Sequence, residues 1–304
     1  MKKIFYITFL FVSTIAMAQD DIAFKVLFSK GANTLENGKA ILTGTKILKG
    51  QSIRMVDGGY LGMIYKTGKS VELKKPGVYA VNDLEKNVLA TSASFSKKYA
   101  DLVMNEMTKN SEDLTENRKK KMGVTGSVER GIEDGLTLFL PKNSELLSHF
   151  VKIQWLKEKE ATNGYVVKVK DMFDEPLKNY ETLDTFVTVS VADLDLKQHK
   201  SFIVTVEPKL VEGKTAVGEG KLVKVLDGKK ADDLHKELKL IKEEAGEESA
   251  MSKIILASFC EQNKLYLEAI SYYEQAILLE PSVDEYKIAY NNFLERVDLG
   301  HIKK

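Results

Sequence analysis

The chain has 304 residues, with 45 basic and 44 acidic side chains, four histidines and one cysteine. That length suggests about two or three domains, and a hydrophobic content of 43% supplies several small cores. A net charge this close to zero excludes overall electrostatic steering toward nucleic acid or an acidic membrane surface.

The first eighteen residues read as a secretory signal peptide. Lys2 and Lys3 form a basic start, and Ile4 to Ile15 is an apolar run. Ala16-Met17-Ala18 is a small-x-small cleavage site. The alternative, a membrane anchor, needs roughly 20 apolar residues, more than this run offers. Cleavage leaves Gln19 first and removes two lysines, so 43 basic residues face 44 acidic ones. No cysteine follows the site, so a lipoprotein anchor is not available there. Cys260 alone cannot form an internal disulfide, so the exported chain must rely on packed cores. No later segment is apolar for long enough to cross a membrane, which predicts a product that is soluble or held to a surface by a partner.

Residues 19–92 read as a small β meander or barrel. Phe24-Lys-Val-Leu-Phe-Ser-Lys30 is a strand closed by Gly31. Ile47 to Gly50, Ser52 to Val56, Tyr60 to Tyr65, Ser70 to Leu73 and Val78 to Val81 are further candidates. Asp57-Gly58-Gly59, Thr67-Gly68 and Pro76-Gly77 punctuate them, glycine supplying the positive φ that tight hairpin turns need. The pattern Leu48-Lys-Gly50, Ile53, Asp57-Gly-Gly-Tyr60-Leu61 and Lys66-Thr-Gly68 resembles FecR-type periplasmic domains over about fifty residues. The chain has no counterpart of the cytoplasmic and transmembrane parts through which FecR acts on a sigma factor, so that signalling role is not carried over.

Residues 93–135 read as a helix and a linker. Tyr99, Leu102, Val103 and Met107 fit one helical face. Asn117-Arg-Lys-Lys-Lys121 is a basic cluster without aromatics, read as a solvated helix end or linker rather than a nucleic-acid or lipid patch. Gly123, Gly126, Gly131 and Gly135 continue the linker.

Residues 136–226 read as a second β domain, an immunoglobulin-like sandwich. Its predicted strands are Leu136 to Leu140, Val151 to Trp155, Tyr165 to Val169, Phe186 to Val191, Phe202 to Val206 and an edge from Gly220 to Leu226. Val151, Ile153 and Trp155 alternate onto one face. The only tryptophan, followed at Gly164-Tyr165 by Val-Val-Lys-Val, resembles a fibronectin type III domain, in which such a Trp and Tyr lie close to the common core. Trp155 is therefore expected in the core rather than as a sugar-stacking platform.

Residues 229–304 read as helical hairpins. Four helices are predicted, over about 229–246, 248–262, 265–279 and 283–297, with Pro281 closing the third. Leu256, Ala257, Ala269, Tyr273, Ala276 and Pro281 stand at the spacing of a tetratricopeptide repeat, which this segment resembles. Lys253 and Cys260 occupy positions where that family usually has aromatics. One repeat, Ala250 to Val283, is expected, packed on a β domain because one repeat does not support itself. Cys260 is expected as a buried structural thiol.

No catalytic, cofactor-binding or metal-ligating residue is predicted. His149, His199, His235 and His301 lie in four sequence contexts, none with the i+4 spacing of a helical metal pair. Asp193 and Asp195 read as a solvated loop, the alternative being a metal pair. Gly218-Glu-Gly220 lacks the strand-loop-helix context of a phosphate cradle. The expected whole is multidomain, β plus α: an exported, non-enzymatic protein of the periplasm or outer-membrane surface, working as a scaffold or adaptor by contact with other envelope proteins. Two alternatives stand beside it. One is a cell-wall glycan or ligand-binding module, marked by exposed aromatics such as Tyr60 and Tyr65. The other is a hydrolase with a dispersed site.

Overall fold

A computed structural model describes residues 21–88, 94–108, 136–141, 144–158, 161, 163–196, 200–209, 220–246 and 248–300. The residues read as a signal peptide, the basic cluster 117–121 and most of the expected linker lie outside the described residues. The protein is multidomain, β plus α, with several sheets and six helices among the described residues.

The first β unit has two sheets. One runs in the order β3 (Lys46–Leu48), β1 (Ile22–Lys30), β5 (Tyr60–Tyr65) and β6 (Ser70–Leu73). The other runs β2 (Thr34–Leu35), β4 (Ser52–Met55) and β7 (Gly77–Ala80). Every residue of β5 is buried. The pleat sends alternate side chains to opposite faces, so a strand with no exposed residue must be covered on both. Leu61, Met63 and Tyr65 enter the core shared with the small sheet. Tyr60 and Ile64 point the other way, into a core shared with helices. Asn33 ties the turns at one end of this unit. Its Nδ2 donates to the Lys30 and Tyr60 carbonyls, and its Oδ1 accepts from Val56 N–H at 3.2 Å. The segment around Val81 differs from expectation: β7 stops at Ala80 and Val81 starts a short helix, α1 (Val81–Lys86).

Helix α2 (Ser94–Thr108) joins α3 (Gly228–Ala245), α4 (Ala250–Gln262), α5 (Tyr266–Leu279) and α6 (Asp284–Arg296) in one helical layer. The last four match the predicted spans within two residues at each end. Ser249 caps α4, its Oγ accepting from Ser252 N–H at 3.1 Å. Ala257, Ala269 and Ala276 are fully buried where α4 and α5 approach, and Tyr273 stacks on Phe293 with ring centres 5.1 Å apart. This layer lies on β1 and β5. Gly62 makes the contact close, since a Cβ there would stand 3.0 Å from Met251 Sδ. Met251 N–H donates to Glu72, Ser70 Oγ donates to the Ala245 carbonyl, and the Tyr60 and Tyr286 hydroxyls meet at 2.5 Å.

The second β unit faces two sheets across one core. The larger runs β11 (Pro176–Thr182), β10 (Tyr165–Lys170), β13 (Ser201–Pro208), β14 (Lys221–Val225) and β8 (Ser144–Leu146), with β8 parallel to β14. The smaller pairs β12 (Phe186–Ser190) with β9 (Phe150–Gln154). Val151, Ile153 and Val189 from the smaller sheet meet Val167, Val169, Val204 and Val223 from the larger. Leu136 to Leu140 is not a strand, and makes a single bridge between Leu138 and Trp155. Strands β8 and β11 are additions to the predicted set.

Candidate contact surface

The helical layer also fastens the second β unit. Leu267 of α5 enters that unit's core. In the first turn of α5, Glu268 Oε1 accepts the Leu147 and Ser148 N–H groups at 2.8 and 3.0 Å. Its Oε2 is shielded from solvent and has no hydrogen-bond partner among the described residues. Burial pushes this carboxyl above the usual carboxylate range, and the two backbone N–H groups oppose that shift. Glu145 N–H donates to the Lys264 carbonyl at 3.0 Å, and the Glu145 carboxylate pairs with Lys230 of α3. The loop between β8 and β9 is thus held by Glu268 of α5, and the preceding strand β8 by Lys230 of α3.

Farther along α5, Glu274 meets the outer face of the small sheet. It accepts from Gln154 Nε2 at 2.8 Å and lies 3.5 Å from Lys152 Nζ. The pleat puts Phe150, Lys152 and, across the register, Phe186 and Thr188 on that outer face. Lys152 Nζ stands 4.9 Å from the centre of the Phe186 ring. Phe150 is 64% exposed and Phe186 is 42% exposed. Leu278, one helical turn beyond Glu274 on the same side of α5, is 81% exposed. The outer face of β9 and β12 thus exposes Phe150 and Phe186 beside the Lys152–Glu274 pair, and Leu278 is exposed one turn farther along α5.

A cleft of about 100 Å³ opens between α2, α4, α5 and α6. Four of its polar lining residues, Arg296, Glu261, Glu106 and Tyr273, are engaged with one another. Arg296 donates from Nε and Nη2 to both oxygens of Glu261, at 2.6 and 2.9 Å, and from Nη1 to Glu106 at 3.1 Å. Tyr273 OH donates to Glu261 at 3.2 Å. The arrangement is a clasp holding α2 to the α4–α6 bundle.

Residues singled out in the sequence fall as follows. Trp155 is buried, edge-on to Tyr165 with ring centres 5.2 Å apart, and its Nε1 has no partner among the described residues. Tyr60 and Tyr65 are 3% and 0% exposed, so neither offers a face to a sugar. Cys260 is buried between helices, and burial raises its thiol well above its usual range. Asp193 ends a 3₁₀ turn and accepts from Lys178 Nζ at 2.9 Å, the bond that lowers its carboxyl. Gly220 packs against Ile203 and Thr205 on the neighbouring strand, while Gly218 and Glu219 lie outside the described residues. His199 and His301 also lie outside them. His149 and His235 are brought together, their rings stacked with centres 6.5 Å apart. Spacing along the chain had no means of showing this, because the two are 86 positions apart and meet only through the docking of α3 on the β8–β9 loop.

No family model and no curated protein matches the chain. Among solved structures, the X-ray structure of the endo-beta-1,4-mannanase from Thermotoga petrophila aligns with 42% of this chain and 24% of its own, at 17% identity and a TM-score of 0.24. A likeness of that size carries no argument about fold or activity. No helix among the described residues is long and apolar enough to cross a membrane.

Proposed function

We propose that the protein is an exported, non-enzymatic scaffold or adaptor of the cell envelope, in the periplasm or at the outer membrane, that works by binding other envelope proteins. The observation that supports this reading best is the junction of α5 with β9 and β12. There Phe150, Phe186 and Leu278 are exposed on elements that the helical layer holds in fixed relation. Exposed large apolar side chains on a rigid framework suit recognition, because little side-chain or backbone freedom is lost on binding.

The FecR-like, fibronectin-like and tetratricopeptide-like resemblances fit this proposal as modules that present surfaces. The glycan reading loses the aromatic pair that would have favoured it, since Tyr60 and Tyr65 serve the core. The test is affinity capture from envelope extract, with the wild-type protein and a Phe186→Asp/Leu278→Asp variant as baits. The proposal expects a partner recovered by wild type and lost by the variant. Recovery of no protein by folded, exported wild type would count against it.

A further inference from the structure

The stacked histidines go beyond the contact role. His149 lies on the β8–β9 loop and His235 on α3, and both are exposed. Neither backbone is free to drift. Ser148 N–H, the preceding residue's, is held by Glu268, and the His149 carbonyl accepts from Val191 N–H at 2.8 Å. His235 lies near the middle of an eighteen-residue helix whose Lys230 is paired with Glu145, in the strand β8 that leads into this loop. Two rigid elements therefore present two imidazoles side by side to solvent.

Imidazole is a good ligand for borderline divalent transition metals. A zinc ion bonds imidazole nitrogen at about 2.0–2.1 Å, which sets two coordinating rings about 5 Å apart, centre to centre, at a tetrahedral angle. The observed ring centres are 6.5 Å apart with the rings stacked, so both exposed side chains must turn to aim a nitrogen at a shared ion. The lysines nearby have acidic neighbours. On α3, Lys236 lies 3.9 Å from Asp233 and Lys239 3.9 Å from Glu243, and toward β8 Lys230 and Lys224 both face Glu145. Asp232 stands one turn before His235. No third His, Cys, Asp or Glu joins the pair among the described residues. An ion held here would take two ligands from the protein and complete its shell with water.

We infer that His149 and His235 form a surface site for a divalent transition-metal cation of the zinc, copper or nickel type, which clips α3 to the second β unit. Binding adds a cross-link between elements already in contact, so it stabilises the fold without rearranging it.

The test uses the full chain and zinc chloride, followed by calorimetry and thermal unfolding. The inference expects one ion bound per chain at neutral pH, a raised Tm, and weaker binding on acidification, because only neutral imidazole ligates. His149→Ala and His235→Ala should each weaken affinity by about tenfold or more, since even outer-shell changes cost metal sites about 10–100-fold. Both side chains are exposed, so the variants should keep the wild-type far-UV spectrum and metal-free Tm. Absence of zinc binding, or binding that neither substitution weakens, would overturn the assignment. These outcomes are separate from partner capture, so either reading can fail without the other.

Discussion

Removing the Glu268 carboxylate should loosen the second β unit from the helical layer. Glu268→Ala leaves the Leu147 and Ser148 N–H groups without their acceptor. Hydrogen bonds to a charged group contribute about 1.5–3 kcal/mol each, and stranding a buried donor costs about 1–3 kcal/mol. Leu147 is buried but Ser148 is half-buried, so water replaces one acceptor more readily than the other. Deleting a shielded carboxylate also relieves its own desolvation. The net loss should be about 2 kcal/mol. Urea unfolding followed by Trp155 fluorescence measures it, because the only tryptophan sits in the core of the second unit. Glu268→Gln keeps an acceptor oxygen and should cost less than about 1 kcal/mol.

The pH dependence of the wild-type and Gln variants separates charge from geometry. Burial holds the folded carboxyl above its ordinary value of about 4.5. Below 4.5 both folded and unfolded states are protonated at this group, and the native state carries no charge penalty. As pH rises past that point the unfolded state releases its proton first, so the native state holds more protons and stability falls until the folded carboxyl has ionised. Wild type minus Glu268→Gln should therefore become less favourable as pH rises from about 4.5 and then level off. A flat or rising difference, or an alanine variant within about 0.5 kcal/mol of wild type, would refute the reasoning.

Three further outcomes are expected. Gly62→Val should destabilise by about 1–3 kcal/mol, measured by thermal or urea unfolding, because its Cβ enters the space of Met251 and Phe28. Tyr60→Phe should cost about 1–3 kcal/mol by leaving the Tyr286 hydroxyl buried without its partner, Tyr286→Phe should cost less because Glu72 also hydrogen-bonds Tyr60, and the double variant should cost less than the sum. Cys260 should stay unreactive to a thiol reagent in the folded protein and react fully in urea, because burial both shields the thiol and disfavours its thiolate.

The helical end was the most legible part of the sequence. Pro281 cannot continue a helix, and Ala257, Ala269 and Ala276 mark where two helices touch. The strand at Tyr60–Tyr65 was legible as a strand, but not its double burial. That follows from helices more than 180 residues away covering its second face. It is also why Tyr60, read as a possible exposed aromatic, belongs to a buried hydroxyl pair. Strand β11 escaped notice because Pro-Leu-Lys-Asn-Tyr-Glu-Thr has no apolar alternation. It is an edge strand with no fully buried residue, and Pro176 occupies its first position, where a missing N–H costs least. Strand β8 is three residues long and exists through its parallel pairing with β14. Leu136 to Leu140 has strand composition but finds only one bridge, its apolar side chains being satisfied by burial instead. The candidate surface was legible only in part. Alternation with Val151 and Ile153 places Phe150, and alternation with Val187 and Val189 places Phe186, on the outer face of the small sheet, but alternation alone does not show that this face stays uncovered or that Leu278 of α5 is exposed as well.

The contact role rests on the exposed junction of α5 with β9 and β12. The direct measurement is quantitative cross-linking in the envelope, comparing wild type with Phe186→Asp/Leu278→Asp. Both side chains lie on the surface, so the variant should export and unfold as wild type does. The account predicts a cross-linked partner whose yield falls about tenfold or more in the variant, as expected when apolar anchors at an interface are lost. An unchanged set of cross-links, or none from the folded wild-type protein, would contradict it.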